Sequence, residues 1–501
     1  MTVSQGGGID EILQNQSIQN QYTLNHTFPI CIVTSTHTVT AQGRAEALAA
    51  DLARRIDQRL LLPGARLPSV RTAALQRGLS PSTVVAAYDR LQAAGLVEAR
   101  PQRGFFVREP APRPAAPARQ ATPSPAAAPF DTLTLVRNLM RPEHQDSPAS
   151  GVLPLSWLDP TPLRQGLRAA CGPGEEAALL RYADPAGDPG LRALLAQRLV
   201  DVGIGASPDQ ILTTVGATQA LDLIAHTLAA PGDAVLVDDP GWPIEYARLS
   251  QAGLRLLAVP RGADGPDLAV LSHLIAAHRP RLYVTVSVLH NPTGHSLSLG
   301  QAHEVLRRCE AGGVLVVEDD TYAPFAAPHA PRLSALDGLK RTLYVCGYSK
   351  LLGAGLRVGF VAGAAEPIAA LTERKMVHEL CTSAVLERAL AHLLSRRALN
   401  RQTEALRQRL DAARLRCGRL ASQHGFGFST PPAGLFGWLD SGVDSETLAQ
   451  QMLEAGWACA PERLFSPTRT GGPHLRLNFA TSQDARFWAE LARARDRLLG
   501  R

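Results

Sequence analysis

The chain has 501 residues, 45% of them hydrophobic and 19% charged, with a formal net charge of +6; that length calls for more than one folded domain, and that composition excludes a globally disordered chain. No apolar stretch approaches the roughly 18 residues of a membrane span, and the N-terminus MTVSQGGGIDEILQNQ lacks the basic and apolar regions of a secretory signal. The seven cysteines are scattered, odd in number and never spaced as C-x-x-C, which argues against a disulfide framework and a zinc site and predicts a cytoplasmic protein.

Residues 1–40 are polar, rich in Gln, Asn, Thr and Gly, and without a sustained period, so a disordered extension is expected there. Residues 41–109 hold eleven arginines and no lysine against six acids, a net of +5. Nearly all the excess charge therefore sits in one short stretch, which suits a polyanion-binding head, although a solvated basic surface reads the same way from charge alone. Leu48, Leu52, Ile56 and Leu60 recur at helical spacing and predict a helix over 44–62, stopped by Pro63 and Gly64. Ser69 is placed to cap a second helix that runs to Arg77 and ends at Gly78. Ser80-Pro81 then supplies a cap and a first-turn proline for a third helix, which buries Val84, Tyr88 and Leu91 and ends at Gly95. LVEAR and GFFVRE, joined by a turn at 101–103, predict two short strands. Three helices and a hairpin make a winged helix-turn-helix, whose third helix enters the major groove of double-stranded DNA N-terminus first.

Residues 110–129 contain seven Pro and eight Ala; they favour extended polyproline II and predict a linker able to span ~60 Å. From about residue 150, within a second domain taken as 130–501, short apolar runs alternate with amphipathic helical stretches: AVLVDDPGW at 234–242, RLYVTVSVL at 281–289, GVLVVEDDTY at 313–322 and TLYVCGYSK at 342–350. That alternation predicts an α/β body with a mainly parallel sheet, and ligand chemistry where its strands end. Lys350 follows one such strand, where burial lowers an amine's pKa and allows a Schiff base with an aldehyde, and Arg357 shortly after suits a phosphate. The segment 318–322 offers carboxylates and a phenol, and HNPTG at 290–294 a side-chain amide on a turn. GATQ at 216–219 opens a helix whose first amides can seat a phosphate.

The string PGARLPSVRTAALQRGLSPSTVVAAYDRLQAAGLVEARPQRGFFV resembles the GntR-type winged helix over essentially its whole length. The resemblance implies Arg71, Ser82 and Thr83 at the DNA, with the wing residues Arg100, Arg103 and Gly104 beside the backbone or minor groove. Pro81 and Val85 stand where many relatives carry arginine, so the operator sequence is not implied. The four segments of the body, in their order and spacing, resemble fold type I PLP-dependent aminotransferases. This implies pyridoxal 5'-phosphate (PLP) as cofactor and Lys350 as its Schiff-base lysine. It also implies Asp319, chosen over Asp320 by its spacing to Tyr322, as partner of the pyridine nitrogen. Tyr322 and Asn291 are implied at the ring hydroxyl, Trp242 on the ring face, and Ala217, Thr218, Ser349 and Arg357 around the phosphate. Tyr182 matches a tyrosine that reaches the neighbouring subunit's phosphate, which implies a homodimer. Arg476, in HLRLNFA, matches the arginine that clamps a substrate or effector carboxylate. Gly347 departs from the pattern, since relatives often carry a hydroxyl residue there.

Head, linker and body together resemble the MocR family of bacterial regulators. That resemblance implies a transcriptional regulator in which PLP, alone or with an amino-acid-like effector, alters DNA binding, and a dimer that reads paired half-sites. Two other readings stay open on the residues: a catalytically active aminotransferase carrying a DNA-binding head, and a dimeric DNA-binding protein indifferent to PLP.

Overall fold

The computed structural model describes residues 41–57, 61, 64–100, 103–108, 146–396 and 398–501. The expected extension at 1–40, the linker at 110–129, residues 130–145 and the turn residues Pro63, Pro101 and Gln102 lie outside these. The described residues fall into two units, one within 1–125 and the other within 126–501. No described helix is long and apolar enough to cross a membrane.

In the first unit, helix α1 spans Ala41–Asp57. The Leu61 amide donates to the Arg55 carbonyl at 3.1 Å; residues 58–60, including Leu60, over which the leucine pattern extends this helix, lie outside the described residues. Helix α2 (Val70–Arg77) begins at Ser69, whose hydroxyl accepts from the Thr72 amide, and ends at Gly78 in the left-handed conformation. Helix α3 (Pro81–Ala93) begins at Ser80, whose hydroxyl accepts from the Thr83 amide, with Pro81 in the first turn. Leu48, Leu52, Val84, Tyr88 and Leu91 bury their side chains together, and the Tyr88 hydroxyl donates to the Pro68 carbonyl at 2.9 Å. Arg77 pairs with Asp51 at 3.0 Å and Arg90 with Glu46 at 2.5 Å. These pairs are exposed, so the apolar cluster rather than the charges carries the stability of the three-helix core. Strands β1 (Val97–Arg100) and β2 (Gly104–Val107) form the antiparallel wing, with Arg100 opposite Gly104. Gly104 has φ +99°, a backbone region that side chains disfavour.

In the second unit the large sheet contains β3 (Ile211–Thr214), β4 (Ala234–Asp239), β5 (Arg255–Gly262), β6 (Gly265–Pro266), β7 (Leu282–Thr285), β8 (Leu315–Asp319), β9 (Thr342–Gly347) and β10 (Gly359–Ala362). Their spatial order is β3-β10-β9-β8-β7-β4-β5-β6. The run from β9 to β5 is parallel, whereas β10 is antiparallel to both neighbours. The central strands are buried on both faces, as their unbroken apolar runs require. After β4 the chain moves to β5 on one side and later returns as β7 on the other. Open α/β sheets place ligands at such a reversal, outside the carboxyl ends of the strands. A smaller antiparallel sheet, ordered β11-β12-β14-β13, comprises β11 (Gly427–Phe428), β12 (Phe436–Asp440), β13 (Ala460–Pro461) and β14 (His474–Asn478). Its core, with Trp488, Phe487 and Phe479, is closed by the helix Ala485–Leu498.

Candidate functional site

Four strand ends deliver the body's chemistry. β9 runs into a short helix, Ser349–Leu352, that carries Lys350. The Lys350 Nζ donates to the Gly151 carbonyl at 2.8 Å. Burial lowers this ammonium to about 8, helped by the positive charges of Arg476 and Arg357 and opposed by Asp319. A lysine at that value is neutral in roughly a tenth of molecules at pH 7, against well under a thousandth for an exposed one.

Asp319 ends β8. Burial raises its carboxyl, while hydrogen bonds from the Thr321 amide and hydroxyl and the charges of Lys350 and Arg248 act the other way. Its neighbours in sequence are committed elsewhere, as strand alternation requires. Glu318 accepts from the Leu333 and Ser334 amides at 2.8 Å, and Asp320 is fully buried against Arg332 and the Tyr344 hydroxyl. Asp319 alone of the three carboxyls shares the electrostatic neighbourhood of Lys350.

Tyr322, Asn291 and Arg476 form a chain. The Asn291 amide donates to the Tyr322 hydroxyl at 3.5 Å, and Arg476 Nη1 donates to Asn291 Oδ1 at 3.4 Å. Arg476 also donates to the Ala149 carbonyl and lies 4.6 Å from the centre of the Phe436 ring and 5.2 Å from that of Phe465. Its Nε is buried without a partner among the described residues. Burial lowers the guanidinium to about 10, which still leaves a cation at neutral pH. Burial also raises the Tyr322 phenol, so it remains a hydroxyl donor.

Helix α4 (Gly216–Leu228) begins after β3 with no side chain capping its first turn, which leaves its first amides available to an anion. Gly216 has φ +76°, and a Cβ there would lie 2.8 Å from Arg357 Nη2; one at Gly359 would lie 2.8 Å from the Ala217 amide nitrogen. Glycine at both positions lets β10 and Arg357 approach Ala217 and Thr218. Arg357 donates to the Ser349 hydroxyl at 3.3 Å and the Val215 carbonyl at 3.0 Å. At Gly347 a Cβ would meet the Ala217 nitrogen at 3.5 Å, an ordinary contact, so the backbone there would accept a larger residue. Helix α5 (Pro243–Gln251) is preceded by Trp242, which lines a small cavity together with Asp319. Tyr182 is not brought to this cleft within the chain: it is 82% exposed, two residues after the equally exposed Leu180.

In the first unit Arg71, Ser82, Arg103 and Gly104 are exposed, and Arg71 makes no ion pair among the described residues. Arg100 is exposed but engaged, donating to Glu98 at 2.7 Å with its guanidinium 4.7 Å from the centre of the Phe106 ring. Thr83 corrects the sequence expectation of a DNA-facing side chain. It is 6% exposed and its hydroxyl is bonded to Ser80 at 2.7 Å. Capping geometry turns it inward, whereas Ser82, whose hydroxyl also meets that of Ser80 at 2.9 Å, stays exposed. Glu245, buried next to Asp319, and the network of Asp238 with Arg261, Tyr283 and Thr285 beneath the cleft were not singled out from sequence.

Residues 155–492 match the family described as aminotransferase class I and II, and residues 44–107 match the bacterial regulatory proteins of the gntR family. The HTH-type transcriptional regulator TauR of Rhodobacter capsulatus is 30% identical over 474 residues, covering 86% of this chain and 91% of the relative. The 2-aminoadipate transaminase of Thermus thermophilus is 30% identical over 313 residues, covering 60% of this chain and 77% of the relative. Among solved structures, the α-aminoadipate aminotransferase LysN of Thermus thermophilus, complexed with N-(5'-phosphopyridoxyl)-L-leucine, matches with a TM-score of 0.66 and 26% identity, over 73% of this chain and 95% of that one.

Proposed function

Because the chain belongs to the MocR family, with a gntR-family head and an aminotransferase class I and II domain, we propose that it regulates transcription by binding operator DNA through the head and PLP through the body. The observation that carries the cofactor half is Lys350: a buried amine held near 8, sharing its surroundings with the Asp319 carboxylate and with Arg357 at an uncapped helix start.

The residues present fit PLP. The Ala217 and Thr218 amides, Ser349 and Arg357 would hold its phosphate, Asp319 its ring nitrogen, Tyr322 and Asn291 its ring hydroxyl, and Trp242 one ring face. When bound, PLP supplies an aldehyde that condenses with an amine and a ring that withdraws electrons. Lys350 contributes the amine, deprotonated more readily than in water. Asp319 keeps a proton on the ring nitrogen, and Tyr322 donates its hydroxyl hydrogen while Asn291 fixes the direction of that donation. Arg476, with its Nε free, would bind the carboxylate of an amino-acid-like effector. Tyr182, with Leu180, would be covered by a second copy of the chain, and a homodimer presents two heads to paired half-sites. A ligand can switch such a molecule only by binding its two states unequally. An effector amine that takes the place of Lys350 at the cofactor would free that side chain and change the charge of the cleft.

Selection of genomic fragments by the purified chain, with excess nonspecific DNA, tests the regulatory half. Recovery of a discrete paired site supports it, and recovery without sequence preference contradicts it. Within that assay, Arg71→Ala should weaken binding to specific and nonspecific duplexes alike and lower the salt slope by about 1. An unchanged slope would remove Arg71 from the phosphate backbone. A second reading, turnover as an aminotransferase, is favoured by the completeness of the Lys350, Asp319 and Arg476 set. Stoichiometric excess of keto acid over protein would establish it.

A further inference from the structure

Helix α5 places Glu245 three residues beyond Trp242, in the turn that faces the sheet. Glu245 is 6% exposed and its Oε1 is buried with no hydrogen-bond partner among the described residues. His290, 0% exposed, has its Nε2 in the same condition. Both residues line a cavity of about 30 Å³ together with Asp319 and Trp242. A cavity of that size has room for one water, and a buried water needs two or more polar partners; Glu245, His290 and Asp319 supply them. A buried carboxyl without a donor is tolerated chiefly as the neutral acid.

We infer that Glu245 is a positioning residue for the carboxylate that faces the cofactor: as the neutral acid it donates a hydrogen bond towards Asp319 through one water in this cavity, and on ionising it sets a second negative charge behind Asp319. The inference rests on the PLP reading of the cleft and adds to it a group that ties cofactor binding to pH.

The surroundings support a transition in the physiological range. Burial is the largest influence on Glu245, Arg248 opposes it, and Asp319 and Asp222 add to it; together they raise the carboxyl to about 7. His290 is held neutral by burial and by Arg261, so it supplies no charge. Asp238 is engaged by Arg261, Tyr283 and Thr285, and Asp239 by the Ser466 hydroxyl. Below this transition Glu245 is neutral and adds little to the field at Asp319. Above it the added negative charge favours the protonated ring nitrogen and the protonated linkage to Lys350, so cofactor binding tightens as pH rises.

The test compares the full-length wild type with Glu245→Gln in two readouts: PLP dissociation constants between pH 6 and 8, and the pH midpoint of the visible band of PLP bound to the protein. The ratio of dissociation constants, variant over wild type, should be close to one at pH 6 and about five- to tenfold at pH 8, and the variant's midpoint should fall by about one pH unit. Should the amide of the first variant disturb folding, Glu245→Met, uncharged and unable to donate, should show the same rise of the ratio with pH from a pH 6 baseline already above one. A ratio that stays constant across pH, whatever its size, with an unmoved midpoint, would mark Glu245 as a packing residue and overturn the inference. A wild type that develops no visible band would overturn the PLP reading itself, and this inference with it.

Discussion

Lys350→Ala protein is expected to fold and to show no visible band on addition of PLP, whereas the wild type develops one at equimolar cofactor. The chain contains only three lysines, Lys340, Lys350 and Lys375, which makes the expectation sharp. Lys340 is exposed. Lys375 is buried away from the cleft and donates to the Pro185 and Thr213 carbonyls. No other side-chain amine lies beside Asp319 and Arg357. Folding should survive, because truncation leaves one carbonyl, that of Gly151, without its donor, a loss of about 1 kcal/mol, and removes an amine that burial had already driven towards neutrality. Borohydride reduction followed by peptide mass mapping checks the site: the wild type should carry the adduct on the Lys350 peptide and the variant on none. An undiminished band in Lys350→Ala would refute the assignment.

Removing Arg332 should have the largest effect on stability. Arg332 and Asp320 are completely buried, and the guanidinium also donates to the Pro328 and Ala330 carbonyls at 3.2 Å. Breaking a buried pair from one side leaves an uncompensated charge and costs about 3–5 kcal/mol. The pair ties the segment after β8, which carries Tyr322, to the segment leading into the helix Leu333–Asp337, so Arg332→Ala should loosen the ring-hydroxyl side of the cleft as well. Burial raises the Asp320 carboxyl, and Arg332 is the main influence opposing it. Without Arg332 this aspartate takes up a proton more readily, so the loss should be greater at pH 8 than at pH 5.5. Asp320→Asn in the same chain should restore part of it. Denaturant unfolding of the body at the two pH values checks both statements; a loss below about 1 kcal/mol at pH 8 would show the pair to be dispensable.

What could be read from sequence followed the range of the forces involved. The starts of α2 and α3 and the end of α2 depend on hydrogen bonds across three or four residues, so Ser69, Gly78 and Ser80-Pro81 announce them. The strands of the large sheet are buried on both faces and appear as apolar runs, and their ends locate Asp319 and Lys350. Alternation along β8 then separates Asp319 from Asp320 and Glu318. Thr83 was misjudged because two hydroxyls at one helix start look equivalent until the rotation of α3 buries one of them and leaves Ser82 exposed. Glu245 was invisible for a related reason. An acid in a first helical turn reads as a partner of the helix dipole, and only the packing of α5 on the sheet shows that it is buried beside another carboxyl.

The measurement closest to the central claim is the affinity of the full-length wild type for its selected DNA site, by fluorescence anisotropy at one stated salt concentration with excess nonspecific duplex, with and without saturating PLP. The account predicts that PLP changes the specific dissociation constant by at least several-fold, leaves nonspecific binding unaltered, and has no such effect on Lys350→Ala. Equal specific affinity with and without PLP, and with each amino acid tried as effector, would contradict it and leave the body as a scaffold that holds two DNA-binding heads.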